Sequence, residues 1–193
     1  MAPATLFRLS GLAGILSGLF TIVATLLINP LLPDSPAADA VGTVAPVLGL
    51  FVLAGAYLWQ REESGRLGGI GYVVNAFGLA LIVGVEFSTN YILAFLDADV
   101  VKELFAGPTR PAFLAIGVVF LVGVVIFTIA TIRAGVFPRP AAVLYVVGFA
   151  LFTFSRFLPD LIVTIGQTMA GAAILWFGLT LWTVSRKGVA SPG

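Results

Sequence analysis

Apolar positions fall into six long runs along the chain, at about 6–29, 36–59, 67–95, 111–132, 140–157 and 159–184, separated by short polar or proline-bearing breaks. Crossing a ~30 Å hydrocarbon layer takes about 20 helical residues, and each run is long enough to be read as a crossing, the fifth being the shortest. Inside lipid a backbone must satisfy its own hydrogen bonds, so uninterrupted runs of this kind are helical. The expected fold is an all-α polytopic membrane protein, a single domain over 1–193 built as a bundle of six transmembrane helices.

The breaks carry helix-start chemistry. Ser35-Pro36 pairs a capping hydroxyl with proline at the first helical position, where a missing N–H costs nothing. Thr109 to Pro111 and Leu158 to Asp160 likewise place proline at the starts of the fourth and sixth runs. Between runs three and four, Asp97 to Pro108 reads as a short interfacial helix, with Val100, Val101, Leu104 and Phe105 on one side and Gly107-Pro108 ending it. Gly68-Gly69-Ile70-Gly71 is either a flexible turn or a close-packed helix start. It is no phosphate loop, because it lacks the strand and lysine that such a loop needs. Ala38-Asp39-Ala40 has the look of a signal cleavage site, yet the run before it is longer than the ~7–15 apolar residues of a signal peptide, so the first helix is expected to be retained.

Charge orients the bundle. Arg8, Arg61, Arg66, Arg133, Arg139, Arg186 and Lys187 fall on one side, against Lys102, Arg110 and Arg156 on the other. The positive-inside rule then puts both termini in the cytoplasm, with Asp34, Asp39, Asp97, Asp99, Glu103 and Asp160 outside. Trp59, Trp182 and Tyr72 belong near the inner interface. A short match between Phe20–Thr25 and Phe127–Thr131 hints at two inverted halves, an arrangement known from transporters.

Composition narrows the chemistry. Hydrophobic residues make up 60% of the chain and charged ones 10%, where a soluble domain carries about 25% charge. There is no cysteine and no histidine, which removes disulfides, thiolate metal sites, haem ligation by histidine and histidine-based triads. A net charge of +1 gives no footprint for nucleic acid. No metal or cofactor is expected.

Among ten basic and nine acidic residues, Glu86 alone sits well inside a run. A carboxyl group there is costly, so it faces a protein interior or a wet cavity, either as glue between helices or as a ligand, ion or proton site. Helical spacing lines up Asn75, Leu79, Ile82, Glu86 and Asn90. A second stripe is Ser10, Gly14, Ser17, Thr21 and Thr25, which includes the Gly14–Gly18 small-residue pair. A third is Asp160, Thr164, Gln167, Gly171 and Gly178. Stripes of this kind also mark plain packing faces. At ~1.5 Å per residue, Thr21, Glu86 and Gln167 each lie about 10 Å below the outer surface. The expectation is a polar pocket in the outer half, lined by Glu86, Asn90, Gln167 and Thr21, with Asn75 deeper and Arg156 as the counter-charge nearest Glu86. Asp160, at a helix start, reads as a cap and dipole partner, not as the second carboxylate of a catalytic pair.

Arg8-Leu9-Ser10-Gly11-Leu12-Ala13-Gly14, Arg61-Glu62-Glu63-Ser64-Gly65-Arg66-Leu67-Gly68 and Ala134-Gly135-Val136-Phe137-Pro138-Arg139, with a glutamate late in the third run, resemble a broad set of uncharacterised bacterial and archaeal multi-pass membrane proteins. The resemblance implies a prokaryotic inner-membrane helical bundle and supplies no catalytic or ligand residues. One carboxyl with a few amides and hydroxyls favours binding over catalysis. The expected function is binding or transport of a small lipophilic or amphipathic molecule through the Glu86 pocket. The alternative is an accessory subunit of a larger membrane complex. The expected partners are the lipid bilayer, such a ligand, and a membrane-protein partner or further copies of the chain.

Overall fold

Proline and glycine set the limits of the helices. The computed structural model describes residues 3–28 and 35–186, without the side chains of Pro3, Leu27, Ile28 and Arg156. Asn29, Asp34 and Lys187 lie outside the described residues. Six α-helices are described: α1 Pro3–Val23, α2 Pro36–Tyr91, α3 Ala98–Ala106, α4 Thr109–Ala134, α5 Arg139–Thr153 and α6 Asp160–Arg186. There is no strand among the described residues. Helices α1, α2, α4 and α6 are long and apolar enough to cross a membrane, whereas α5 is a shorter apolar helix.

Helix α2 starts as the Ser35-Pro36 pair predicts, with the Ala38 N–H donating to Ser35 Oγ at 3.2 Å. It is not straight. Gly65 has φ 54° and ψ −146°, a region closed to side chains with a Cβ, and there the chain turns back on itself. Thr43 and Asn90 would stand about 70 Å apart on a straight helix at ~1.5 Å per residue, yet Asn90 Nδ2 donates to Thr43 Oγ1 at 3.3 Å. Helix α2 is therefore an antiparallel hairpin of two arms, α2a (36–64) and α2b (66–91), each roughly 40 Å long at ~1.5 Å per residue. The Gly68-Gly69-Ile70-Gly71 cluster is a close-packed helix start, one residue cluster beyond the turn. A Cβ at Gly71 would stand 2.7 Å from the backbone nitrogen of Phe127.

Two runs end earlier as α-helix than hydropathy alone suggests. Run three is α-helical to Tyr91 and then tightens into a 3₁₀ turn at Leu93–Phe95; run five does the same after Thr153, at Ser155–Phe157. Such tightening gives the last carbonyls partners, here Phe95 N–H to Ile92 C=O at 3.2 Å and Phe157 N–H to Phe154 C=O at 2.9 Å. At the other end of the first run, α1 widens into a π-helical turn over Ala24–Ile28.

Neighbours run antiparallel around a closed ring: α1, α2a, α2b, α4, α5, α6 and back to α1. The α1–α6 contact is close because glycines face each other; a Cβ at Gly14 would lie 2.8 Å from Gly178 Cα, and one at Gly18 2.6 Å from Leu175 N. Small residues let two backbones approach where lipid supplies no hydrophobic drive. The described ends of α1 and α6 lie together with Gly65 and Gly135 at one end of the ring, the terminal end. There the guanidinium groups of Arg8 and Arg186 both stand over the Trp182 ring, at 5.1 and 5.2 Å. Phe7 meets Trp59 edge-on at 5.5 Å, and Tyr57 stacks on Tyr72 at 4.6 Å. Helix α3 lies at the opposite end, where Phe105 packs on Phe113 at 5.3 Å and holds it against α4.

Candidate functional site

The helices close the ring on small residues, and the side chains that reach its axis do not fill it. A cavity of about 190 Å³ lies there, lined by residues of α1, both arms of α2, α4, α5 and α6. Its end toward the terminal side is aromatic. Phe120, Phe127, Tyr145 and Phe177 line it and are at most 5% exposed. Phe120 and Tyr145 each set an edge against the Phe149 ring at 4.9 Å. The end away from the termini is polar and carries Ser17, Thr21, Thr25, Glu86 and Gln167. Thr21, Glu86 and Gln167 are only partly buried, as are Phe149 and Phe152 farther along α5, whereas the four rings at the terminal side are buried, so the cavity is more open at the end away from the termini.

Local structure fixes each polar group. Ser17 Oγ donates to the Ala45 carbonyl at 2.7 Å, tying α1 to α2a. Thr21 Oγ1 donates back to the Ser17 carbonyl at 2.9 Å, as helical threonines do. The π-helical turn brings Thr25 to Gln167, with Thr25 Oγ1 donating to Oε1 at 3.4 Å. Pro46, on the cavity wall with Gly42, has no N–H and leaves the Gly42 carbonyl without its helical donor. Glu86 faces that glycine across the hairpin, Oε2 lying 3.9 Å from where a Cβ at Gly42 would sit. A Cβ at 42 would make ordinary contact with the carboxyl group and with Asn90 Nδ2 at 3.4 Å.

Three of the residues singled out in the sequence, Thr21, Glu86 and Gln167, are thus brought into one lining. Asn90 lies one turn beyond Glu86 and acts across the hairpin, with Nδ2 reaching the Asp39 carbonyl at 3.4 Å as well as Thr43. Asn75 stands behind the aromatic end, donating from Nδ2 to Tyr145 Oη at 3.0 Å while its Oδ1 has no partner. The Arg156 side chain lies outside the described residues. Asp160 opens α6, and its carbonyl accepts from Thr164.

Other interior side chains were not singled out as site residues in the sequence. The six aromatic residues of the lining, Phe120, Phe127, Tyr145, Phe149, Phe152 and Phe177, are among them. So is a buried polar set near the terminal end, where Gln60 Nε2 donates to Thr131 Oγ1 at 2.9 Å and Gln60 Oε1, Ser64 Oγ and Thr128 Oγ1 have no partner. A glutamine and two threonines within or at the edge of apolar runs were the available signal. Among the described residues no three metal-ligating side chains of the His, Cys, Asp or Glu type cluster together. No family model, curated protein or solved structure matches the chain, so its function is read from this geometry.

Proposed function

We propose that the chain is an inner-membrane protein of six crossings, with both termini cytoplasmic, that binds or transports a small lipophilic or amphipathic molecule in the axial cavity beside Glu86. The carrying observation is that cavity: every long arm of the ring contributes to it, it is aromatic toward the terminal end and polar at the more open end, and Glu86 lines it. Shapes of this kind, mostly apolar with a few convergent polar groups, are the usual form of a small-molecule site. Six crossings are supported by the length of both α2 arms and by α5 packing between α4 and α6, with a Cβ at Gly148 only 2.5 Å from Ala170 N. The orientation is supported by the arginines and the Trp182 girdle at the terminal end. The resemblance of the loops to prokaryotic multi-pass proteins points to the same membrane.

Testing uses the purified chain in lipid nanodiscs. A panel of small amphiphiles is expected to include members that raise Tm saturably, and Ile82→Trp, which fills the cavity from its α2b wall, is expected to abolish the shift while the unliganded protein stays folded. If no amphiphile shifts Tm, or if the shift survives Ile82→Trp, the pocket reading fails and an accessory subunit becomes the better description.

A further inference from the structure

We infer that the cavity selects a lipophilic amine, its cationic head at the polar end and an apolar body little larger than a benzene ring at the aromatic end. This rests on the pocket reading and adds the chemical class of the ligand.

The argument starts from where the hydroxyl protons go. A hydroxyl has one proton and two lone pairs, and the three at the polar end have committed their protons inside the protein: Ser17 to Ala45, Thr21 to Ser17 and Thr25 to Gln167. Toward the cavity all three offer only lone pairs. The Gly42 carbonyl, freed by Pro46, adds another acceptor on the same wall. Glu86 brings a carboxyl group that makes no hydrogen bond or ion pair with the described side chains. Against these acceptors stand two donors, Gln167 Nε2 and, at the aromatic end, the Tyr145 hydroxyl. No described Lys or Arg lines the cavity.

Such a wall discriminates among head groups. A carboxylate ligand would face Glu86 and a row of lone pairs, and burying that repulsion is costly. An alcohol satisfies one acceptor and leaves the rest. An ammonium presents three donors and a positive charge, matching several acceptors and the carboxyl group together. The rings beyond the head supply negatively polarised faces, which attract a nearby cation. Size sets the body: the cavity of about 190 Å³ compares with the ~150 Å³ that holds benzene in an apolar protein core.

The test compares three probes with one body and different heads: phenethylamine, phenethyl alcohol and phenylpropionate. Each is titrated at neutral pH into the full chain in phosphatidylcholine nanodiscs, which carry no net charge to concentrate the amine. The amine is expected to bind at least about tenfold tighter than the alcohol, and the carboxylate weakest of all. Glu86→Gln is expected to cut amine affinity at least about tenfold and leave the alcohol within about twofold. Thr21→Val, isosteric but without lone pairs, is expected to lower amine affinity severalfold, and it provides the comparison should Glu86→Gln not fold. Equal binding of amine and alcohol, or preference for the carboxylate, overturns the amine assignment while leaving the cavity as a binding site. Loss of amine binding in Arg156→Gln equal to that in Glu86→Gln would mark a structural ion pair and also overturn it. If none of the three probes binds and Ile82→Trp behaves as the parent, the pocket reading itself has failed.

Discussion

A Cβ at Gly178 would stand 2.5 Å from Ile15 N and 2.8 Å from the Gly11 carbonyl oxygen, both backbone atoms of α1. Neither can swing aside, so α1 and α6 must separate. Gly178→Ala is expected to cost ~1–3 kcal/mol as overpacking and to lower Tm by several degrees. Gly84, with nothing within 4 Å of its Cβ position, is the control: Gly84→Ala is expected to be neutral or to stabilise by up to ~1 kcal/mol through helix propensity. Equal effects from the two would show that propensity, not the glycine seam, governs position 178. Tyr145→Phe removes the acceptor of the Asn75 amide, whose Oδ1 is already without a partner, and is expected to cost ~1–3 kcal/mol. Adding Asn75→Leu is expected to recover part of that loss, since replacing both partners leaves no orphaned amide; chemical unfolding of the two variants checks it. At this scale the sequence tells some residues from others and not all. A carboxyl, an amide or a run of hydroxyls in an apolar helix must face protein, so spacing and helical rise placed Thr21, Glu86 and Gln167 on one level. Phe120, Phe149 and Phe177 carried no such mark, because lipid tails are as apolar as a cavity wall and a phenylalanine facing either looks the same in a hydropathy pattern.

Among the elements, the hairpin in α2 depends on a single residue. Gly65 at φ 54°, ψ −146° lies near a region that only glycine occupies freely, where a side chain costs ~1–3 kcal/mol. Gly135, which caps α4 at φ 68°, ψ 9°, sits in the left-handed helical region that asparagine tolerates. Gly135→Asn is therefore expected to leave Tm nearly unchanged, and Gly65→Asn to lower it clearly. Equal tolerance at both sites would mean that the α2 turn can relax into another geometry. Runs of apolar residues bounded by Ser35-Pro36 and Gly107-Pro108 made the elements legible to within a turn or so, since spanning length and proline geometry are local constraints. Locating the hairpin turn was harder. Glycine serves both sharp turns and close backbone contact, and in the Gly68 to Gly71 cluster, richer than lone Gly65, Gly71 has the second use, against the Phe127 backbone. The ring order is a global property: it follows from which small faces meet, and several glycine-bearing faces could have been paired in more than one way.

For the whole molecule, the decisive quantity is which side of the membrane each end of the ring faces. The terminal end gathers Arg8, Arg61, Arg66, Arg133, Arg139 and Arg186, while the end with α3 gathers Asp97, Asp99, Glu103 and Asp160 among Lys102 and Arg110. The proposed orientation puts these arginines toward the cytoplasm, and under it the open, polar end of the cavity faces the outer leaflet. The absence of native cysteine makes this directly measurable, because each introduced thiol is the only one in the chain. Cysteines replacing Glu63 and Arg139 are expected to resist a membrane-impermeant maleimide in intact cells and to react after lysis, whereas cysteines replacing Asp99 and Asp160 are expected to react in intact cells. A reversed pattern would invert the protein and put the cavity opening on the cytoplasmic side. Finding Arg139 and Asp160 on the same side would remove α5 as a crossing, and with it the closed ring on which the axial cavity depends.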